Sequence, residues 1–418
     1  MKRSKSFIKK PVMVITDQPV ISEIETDTPY SAASNLELLD DLNKVGIPQN
    51  IINKNVNPIT ITKIIQASYL LYFRPDKGIK TQFVRKNSSI PEGENYIEVP
   101  FQKNLWVEEK LWLEVLDLIE EIRRVQPKII ITTGKWVFFF LYGYYEFSKT
   151  AGTATSKTPL GGLSKHRGSL DRIHPYWELP NVILYPLTPV TFKYRNFDSS
   201  HKVKTERAYT SMVWDYKKIG KIFREIYLEG KEVSSYLNPK RNMIIGDSLP
   251  KIRDYMELLL TFLSTSKVRV AVDIECRYFT KKSLAKTASK EVKELEDLKR
   301  GVIDCIGFCY EKNISLAIPL SLYDNPLPWS LEEEVEITNL IRLVLTHQNT
   351  EIVGQNYNFD SQYINKFYLI DRPAKRDTMI TSHILYNTLP KDLAYISSIY
   401  CENYSYWKTM ESQEMENK

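Results

Sequence analysis

Short, wholly apolar runs alternate along the chain with longer segments whose apolar residues recur every three or four positions, the pattern of buried strands between amphipathic helices. Val12–Ile15 predicts a strand ending at Thr16-Asp17-Gln18-Pro19, and Asn35–Val45 a helix with Leu36, Leu38, Leu39 and Leu42 on its apolar face and Gly46 as its stop. Tyr69–Phe73 predicts another strand. Trp106–Val125 has apolar residues at 107, 111, 115, 118 and 122, a helical period closed by Pro127. Lys128–Gly134 reads as a strand running into a turn, Trp136–Leu141 as a helix, and 147–170 as a polar surface loop. Val182–Tyr185 follows as a strand and Trp214–Tyr227 as an amphipathic helix. The aromatic run Trp136–Tyr145 reads as core. Such alternation predicts a largely parallel α/β sheet.

The pattern breaks across 229–241, which reads as a linker, and resumes with Leu249–Thr265 as a helix and 268–274 as a strand. Gly301–Tyr310 and Ile314–Ile318 predict a hairpin turning at Glu311-Lys312-Asn313. Glu332–Thr346 reads as a helix, Ile352-Val353 as a strand and Ser361–Tyr368 as a helix. Residues 281–300 read as a solvated, lysine- and glutamate-rich insertion, with DNA-backbone contact as the alternative. Cys305 and Cys309, four apart on one strand, read as core.

Composition narrows the classes. At 418 residues, 43% hydrophobic, the chain is long enough for two or three cores, and a net charge of +6 permits nucleic-acid binding without establishing it. Lys2, Arg3, Lys5, Lys9 and Lys10 make residues 1–10 a basic, disordered N-terminus, with a phosphate-touching arm as the alternative. The four cysteines lack C-x-x-C spacing and none precedes Cys276, so no zinc knuckle and no cysteine-held iron–sulfur cluster is expected. No long apolar span or signal peptide is evident, and a cytoplasmic protein without membrane contact is expected.

The chemistry concentrates at Asp273-Ile274-Glu275. Strand side chains alternate, so D-x-E at a strand end sets two carboxylates on one side of a sheet. Asp360, in Asn356-Tyr357-Asn358-Phe359-Asp360, offers a third. Clustered carboxylate oxygens are the natural ligands of paired hard cations, which serve phosphodiester hydrolysis.

With these motifs the region resembles the DEDD superfamily of 3′–5′ exonucleases, in particular the proofreading domain of family A DNA polymerases. AVDIE is similar to its first motif and NYNFD to its second; DCIGFCYEKNISLAIPL looks like the following strands. The resemblance covers 242–418 and implies an RNase H-like (DnaQ-like) mixed sheet. It further implies Asp273, Glu275 and Asp360 as catalytic metal ligands, two Mg2+ or Mn2+ ions per site, and Asn356 as a hydrogen-bonding support. Asp377 reads as a helix N-cap. The family's third motif, Y-x-x-x-D or H-x-x-x-x-x-D, is absent: Tyr386, Tyr395, Tyr400 and Tyr404 have no Asp at that spacing, nor does His383. A chain ending before that motif, with weak or no exonuclease activity alone, is the expectation.

Residues 11–228 resemble the uracil-DNA glycosylase superfamily: MVITDQP, TPYSAASNLELLDDLNKVGI, QPKIIITTGKWVFFFLYG, HRGSL and NVILYPLTPV fall in the order of its strands and motifs. The resemblance puts Asp17 where the family has its water-activating acid, Tyr30 where it has a base-stacking aromatic, and Thr188 where it has a histidine. Thr16 and Val20 replace its glycines, and His174-Pro175 precedes the last strand instead of following it. A non-catalytic relative is implied. Lys165 and Arg167 are candidate DNA contacts, with a polar turn as the alternative.

The whole resembles the N-terminal portion of a phage-type family A DNA polymerase, placed in the cytoplasm of an infected bacterial cell. Its expected partners are a single-stranded 3′ end or primer-template and other replication proteins. A non-catalytic DNA-binding or replisome-docking protein and an RNase D-like exoribonuclease are the alternatives.

Overall fold

Where the apolar runs are short and continuous they become strands buried on both faces; where they alternate, one face stays open. The computed structural model describes residues 9–17, 19, 21–27, 30–47, 65–70, 84–85, 95–102, 105–143, 166–190, 199–277, 301–321 and 329–405. Contacts divide the chain into two α/β units, Met1–Pro239 with Ala394–Lys418, and Lys240–Leu393.

Unit 1 begins with β1 (Val12–Thr16), α1 (Ile21–Glu25), α2 (Ala33–Lys44) and β2 (Ile65–Tyr69). β3 (Val84–Arg85), β4 (Tyr96–Glu98) and β5 (Trp106–Glu108) form a small sheet of their own. α3 (Glu109–Val125), β6 (Ile129–Thr132), α4 (Lys135–Tyr142), β7 (Asp171–Arg172), β8 (Ile183–Pro186), α5 (Ser199–Tyr227) and α6 (Ser234–Leu237) follow. The main sheet has order β2-β1-β6-β8-β7, parallel except for β7. Alternation along β1 feeds two cores. Val12 and Val14 join Leu38, Leu42, Ile219 and Phe223 of α2 and α5, whereas Met13 and Ile15 join Leu118, Ile122, Phe139 and Phe140 of α3 and α4. A sheet covered on both faces is the arrangement that parallel strands require.

Unit 2 contains β9 (Asn242–Ile245), α7 (Leu249–Thr265), β10 (Val268–Arg277), β11 (Val302–Glu311) and β12 (Ile314–Pro319). α8 (Leu331–Thr346), β13 (Thr350–Gly354), α9 (Tyr357–Tyr368), β14 (Arg376–Asp377) and α10 (Thr378–Leu385) complete it. Its mixed sheet has order β14-β13-β10-β11-β12-β9, with β11 antiparallel to both neighbours and the other pairs parallel. Val270, Val272 and Ile274 face a single core with α7, α8 and α9, while Ala271, Asp273 and Glu275 between them are exposed. Ser330 and Glu333 close a capping box at the start of α8, each side chain accepting the other's backbone N–H at 3.3 and 2.9 Å.

Several expectations change. The strand expected at Tyr69–Phe73 lies at Ile65–Tyr69, and Trp106–Glu108 forms β5 ahead of α3, because its alternation pairs it with β3 and β4. The expected linker is not loose: Val233, Tyr236 and Leu237 are buried in the unit 1 core. Nor does the second unit run to the chain's end. α11 (Leu393–Tyr400) and the residues after it belong, from Ala394 on, with unit 1. Lys10, expected in a solvated arm, is buried and its backbone N–H donates to Val125 O at 3.0 Å. Cys305 and Cys309 are half-buried rather than core, since Ile306 and Phe308 take the inward positions of β11. The insertion at 281–300 and most of the loop at 147–170 lie outside the described residues.

Candidate functional site

The carboxylate site is assembled from three elements of unit 2. β10 carries Asp273 and Glu275 on its exposed face, and a β-bulge between Glu275 and Cys276 ends the regular alternation just beyond them. β11 sets Gly307 opposite Asp273 and Cys305 opposite Glu275. At the end of β13 a tight turn leads into α9. Gly354 lies so close to Tyr357 that an added Cβ would stand 2.7 Å from the Tyr357 Cβ, and Asn356 takes the left-handed conformation at φ 58°. Asp360 therefore falls in the first turn of α9.

Asp377 holds that turn. Its carboxylate accepts N–H bonds from Asn356 and Tyr357 at 3.2 and 2.8 Å, and from Met379 and Ile380 at 2.8 and 3.2 Å, thereby capping α9 and α10 together. The expected cap of α10 is present, and the clamp on α9 is an addition that sequence spacing did not reveal. Asn356 is exposed and supports the site through its backbone conformation and N–H rather than through its side chain.

Asp360 is 4% exposed, and its Oδ2 has no hydrogen-bond partner. Burial, followed by the like charges of Asp273, Asp377 and Glu275, pushes its carboxyl up to about 8. Desolvation by its neighbours raises the exposed Asp273 as well. Hard oxygen donors, an unmatched buried oxygen and mutual repulsion fit a divalent cation in donor type and charge. Among the described residues, however, no three His, Cys, Asp or Glu side chains are arranged to hold an ion as they stand. Beside the site, Arg277 donates from Nε to both oxygens of Asp304, at 3.0 and 3.2 Å, and from Nη2 to Ser321 Oγ at 2.8 Å, tying β10 to β11.

In unit 1 the candidates separate. Asp17 follows β1, Thr188 follows β8, and both lie at the carboxyl edge of the parallel sheet. Asp17 Oδ1 accepts the N–H of Trp136 and Val137 at 3.0 and 2.9 Å, so the acid occupies the anion position at the N-terminus of α4. Burial pushes it up to about 6 against those same bonds. Thr188 is half-buried.

Tyr30 is not available to stack on a base. It is fully buried, and its hydroxyl donates to Ser68 O at 2.9 Å, since the ring sits inside the α2 core against Tyr69. Arg167 is likewise not a DNA contact: it is 3% exposed, and Asp215 Oδ1 and Ser398 Oγ accept from its guanidinium at 2.6 and 2.8 Å, with the Tyr395 ring 4.5 Å away. Gly168, at φ +68°, lets this turn approach Asp215, where a Cβ would stand 2.5 Å from Oδ1. Lys165 lies outside the described residues.

No family model matches the chain, and no curated protein matches it. Among solved structures it is similar to the catalytic core of RRP6 from Trypanosoma brucei, at 14% identity and a TM-score of 0.27 over 39% of this chain and 35% of that one. It is also similar to S. pombe Pop2p in its Mg2+ and Mn2+ bound form, at 14% identity and a TM-score of 0.24 over 41% of this chain and 82% of that one. The chain thus spans about a third of the RRP6 core, 35% of it, and likenesses of this degree carry no argument about activity.

Proposed function

We propose that unit 2 is a 3′–5′ exonuclease module of RNase H-like fold, from the proofreading region of a phage-type family A DNA polymerase. The observation that carries this is Asp360: a buried carboxylate with an unmatched oxygen, set against Asp273 and Glu275 by a turn that Gly354, Asn356 and Asp377 hold in place. Asp273, Glu275 and Asp360 would hold divalent cations, Mg2+ or Mn2+. Bound there, such ions supply Lewis-acid activation of water and charge neutralisation at the leaving 3′ oxygen. The chain's own part is to converge the acids, keep Asp360 dry, and keep α9 in place through the Asp377 clamp.

Unit 1 we read as a non-catalytic relative of the uracil-DNA glycosylases. Asp17 is committed to the α4 N-terminus and Tyr30 to the core, which supports a platform for DNA or replication partners and not base excision.

The test is incubation of the full chain with 5′-labelled single-stranded DNA and Mg2+ or Mn2+. Mn2+ binding that Asp273→Asn removes, with at most slow 3′ shortening that EDTA and the same substitution abolish, is the expected result. A chain that neither shortens the strand nor binds Mn2+ would overturn the reading. The second reading is a DNA-binding or replisome-docking module without hydrolysis. That reading predicts DNA affinity indifferent to EDTA. Preference for an RNA oligonucleotide would point to an RNase D-like enzyme, and uracil excision would overturn the reading of unit 1.

A further inference from the structure

The open face of the unit 2 sheet continues away from the carboxylates. Strand register sets Asp273 beside Gly307, Gly307 beside Ala317, and Ala317 beside Ile245 of β9, so the four form one row on one face. Three strand spacings make that row roughly 14 Å long. Only a glycine and an alanine lie between its ends, so the floor is flat. At the far end, on the edge strand, Met243 and Ile245 are 72% and 65% exposed. Alternation places Arg241, also exposed, on the same side just before them. Edge strands are ordinarily protected by charge, proline or a covering element. Two large apolar side chains displayed there, with a guanidinium in line, instead match a chain of alternating flat rings and phosphates. The other end of the row meets the independent observation, the buried and unmatched Asp360 Oδ2.

We propose that Arg241, Met243 and Ile245 form the upstream track of the site. The terminal nucleotide of a single-stranded 3′ end sits at the carboxylates, and the strand crosses the Gly307–Ala317 floor. The faces of the preceding bases then rest on Ile245 and Met243, with Arg241 on a phosphate. A base lying face-down on these side chains is out of its stack, so the track selects unpaired ends over duplex. This rests on the reading of unit 2 as a 3′-end site.

The experiment uses the full chain and a short fluorescein-labelled oligothymidylate carrying a photoactivatable thymine upstream of the 3′ end, with Ca2+ in place of Mg2+. Met243→Asp and Ile245→Asp are each expected to weaken binding about tenfold, and Arg241→Ala to reduce the salt slope by roughly 0.7. The photo-crosslink is expected to map to 241–245. Met243→Ser and Ile245→Ser, with unchanged circular dichroism, separate lost contacts from lost folding. Binding that Asp360→Asn alters, while all β9 variants bind as the parent does, overturns the track and leaves the site reading standing. No binding by the parent chain overturns both. A dimer dissolved by Met243→Asp, with oligothymidylate affinity unchanged, would assign the face to a second copy and overturn the proposal.

Discussion

Both units bury acids, and they treat them in opposite ways. In unit 1, Asp17 faces the N-terminus of α4, Asp215 faces the Arg167 guanidinium, and the fully buried Glu23 accepts from Ala32 N, Asn35 Nδ2 and the Tyr69 hydroxyl at 3.0, 2.9 and 2.8 Å. Asp215 does leave Oδ2 unmatched, but a cation stands beside it. In unit 2, Asp360 is buried beside other acids, and the charges shifting it are all of its own sign. A buried acid given a donor or a cation is structural. One set against like charges carries the kind of perturbed ionisation that clusters at functional sites.

The sharpest way to break that comparison is Arg167→Ala. Leaving Asp215 buried and uncompensated, it should destabilise unit 1 by about 3–5 kcal/mol, read as a lower unfolding midpoint for that unit, with Mn2+ binding unchanged. The pair Arg167→Met with Asp215→Leu should recover most of the loss. If Arg167→Ala is neutral, the tail bearing Ser398 is not held as described.

Asp360→Asn comes next and acts in the other unit. On the proposed reading, it should lower whatever Mn2+-dependent 3′ trimming the parent shows at least about 100-fold, a larger loss than is usual for groups that only support ligands. Mn2+ should raise the unfolding midpoint of the parent and leave that of the variant unmoved, because only a folded site with its ligands gains from binding. Trimming that survives the substitution would remove Asp360 from the site.

The same contrast explains what the sequence disclosed. Asp273 and Glu275 were legible because strand alternation is local: a D-x-E on an apolar strand has only one way to point. Leu249–Thr265 was legible to its ends for the same reason, since its period is local. What depended on distant partners was hidden. Arg167 in a polar His-Arg-Gly turn looks solvent-facing until Asp215, 48 residues on, and Ser398, 231 residues on, close over it. Tyr30 reads as a free aromatic until the strand carbonyls claim its hydroxyl. The second clamp of Asp377 depends on the β13–β14 register, which sets Gly354 beside Asp377 and which two-residue β14 does not announce.

A smaller effect tests whether Asp17 is structural. Its folded carboxyl is raised from 3.8 to about 6, so burial disfavours the ionised form. The resulting stability is fully present below the unfolded value and is lost as pH rises through about 6. Asp17→Asn keeps an oxygen for the Trp136 and Val137 N–H groups and removes the titration. The parent should therefore lose stability relative to the variant between about pH 4 and pH 6 and run parallel to it above. Asp17→Ala, which removes the cap as well as the titration, should be about 1 kcal/mol less stable than Asp17→Asn at any pH. A pH difference of the opposite sign would mean that the ionised acid is favoured in place, the α4 N–H groups outweighing burial.

The smallest effect separates the contacts that fasten the tail from those that decorate it. Lys221 and Glu402 form an ion pair across α5 and the tail, but their side chains are 52% and 54% exposed. Screened by water, Glu402→Gln should change unit 1 stability by less than about 0.5 kcal/mol, and less still at high salt. Tyr395, which stacks on Arg167 and shares a 2.6 Å hydrogen bond with Ser211, should matter more. Tyr395→Ala therefore belongs with Arg167→Ala, and Glu402→Gln with the parent. If the ranking inverts, surface charge and not the buried guanidinium holds residues 394–405 to unit 1, and the division between satisfied and unsatisfied acids loses its anchor in that unit.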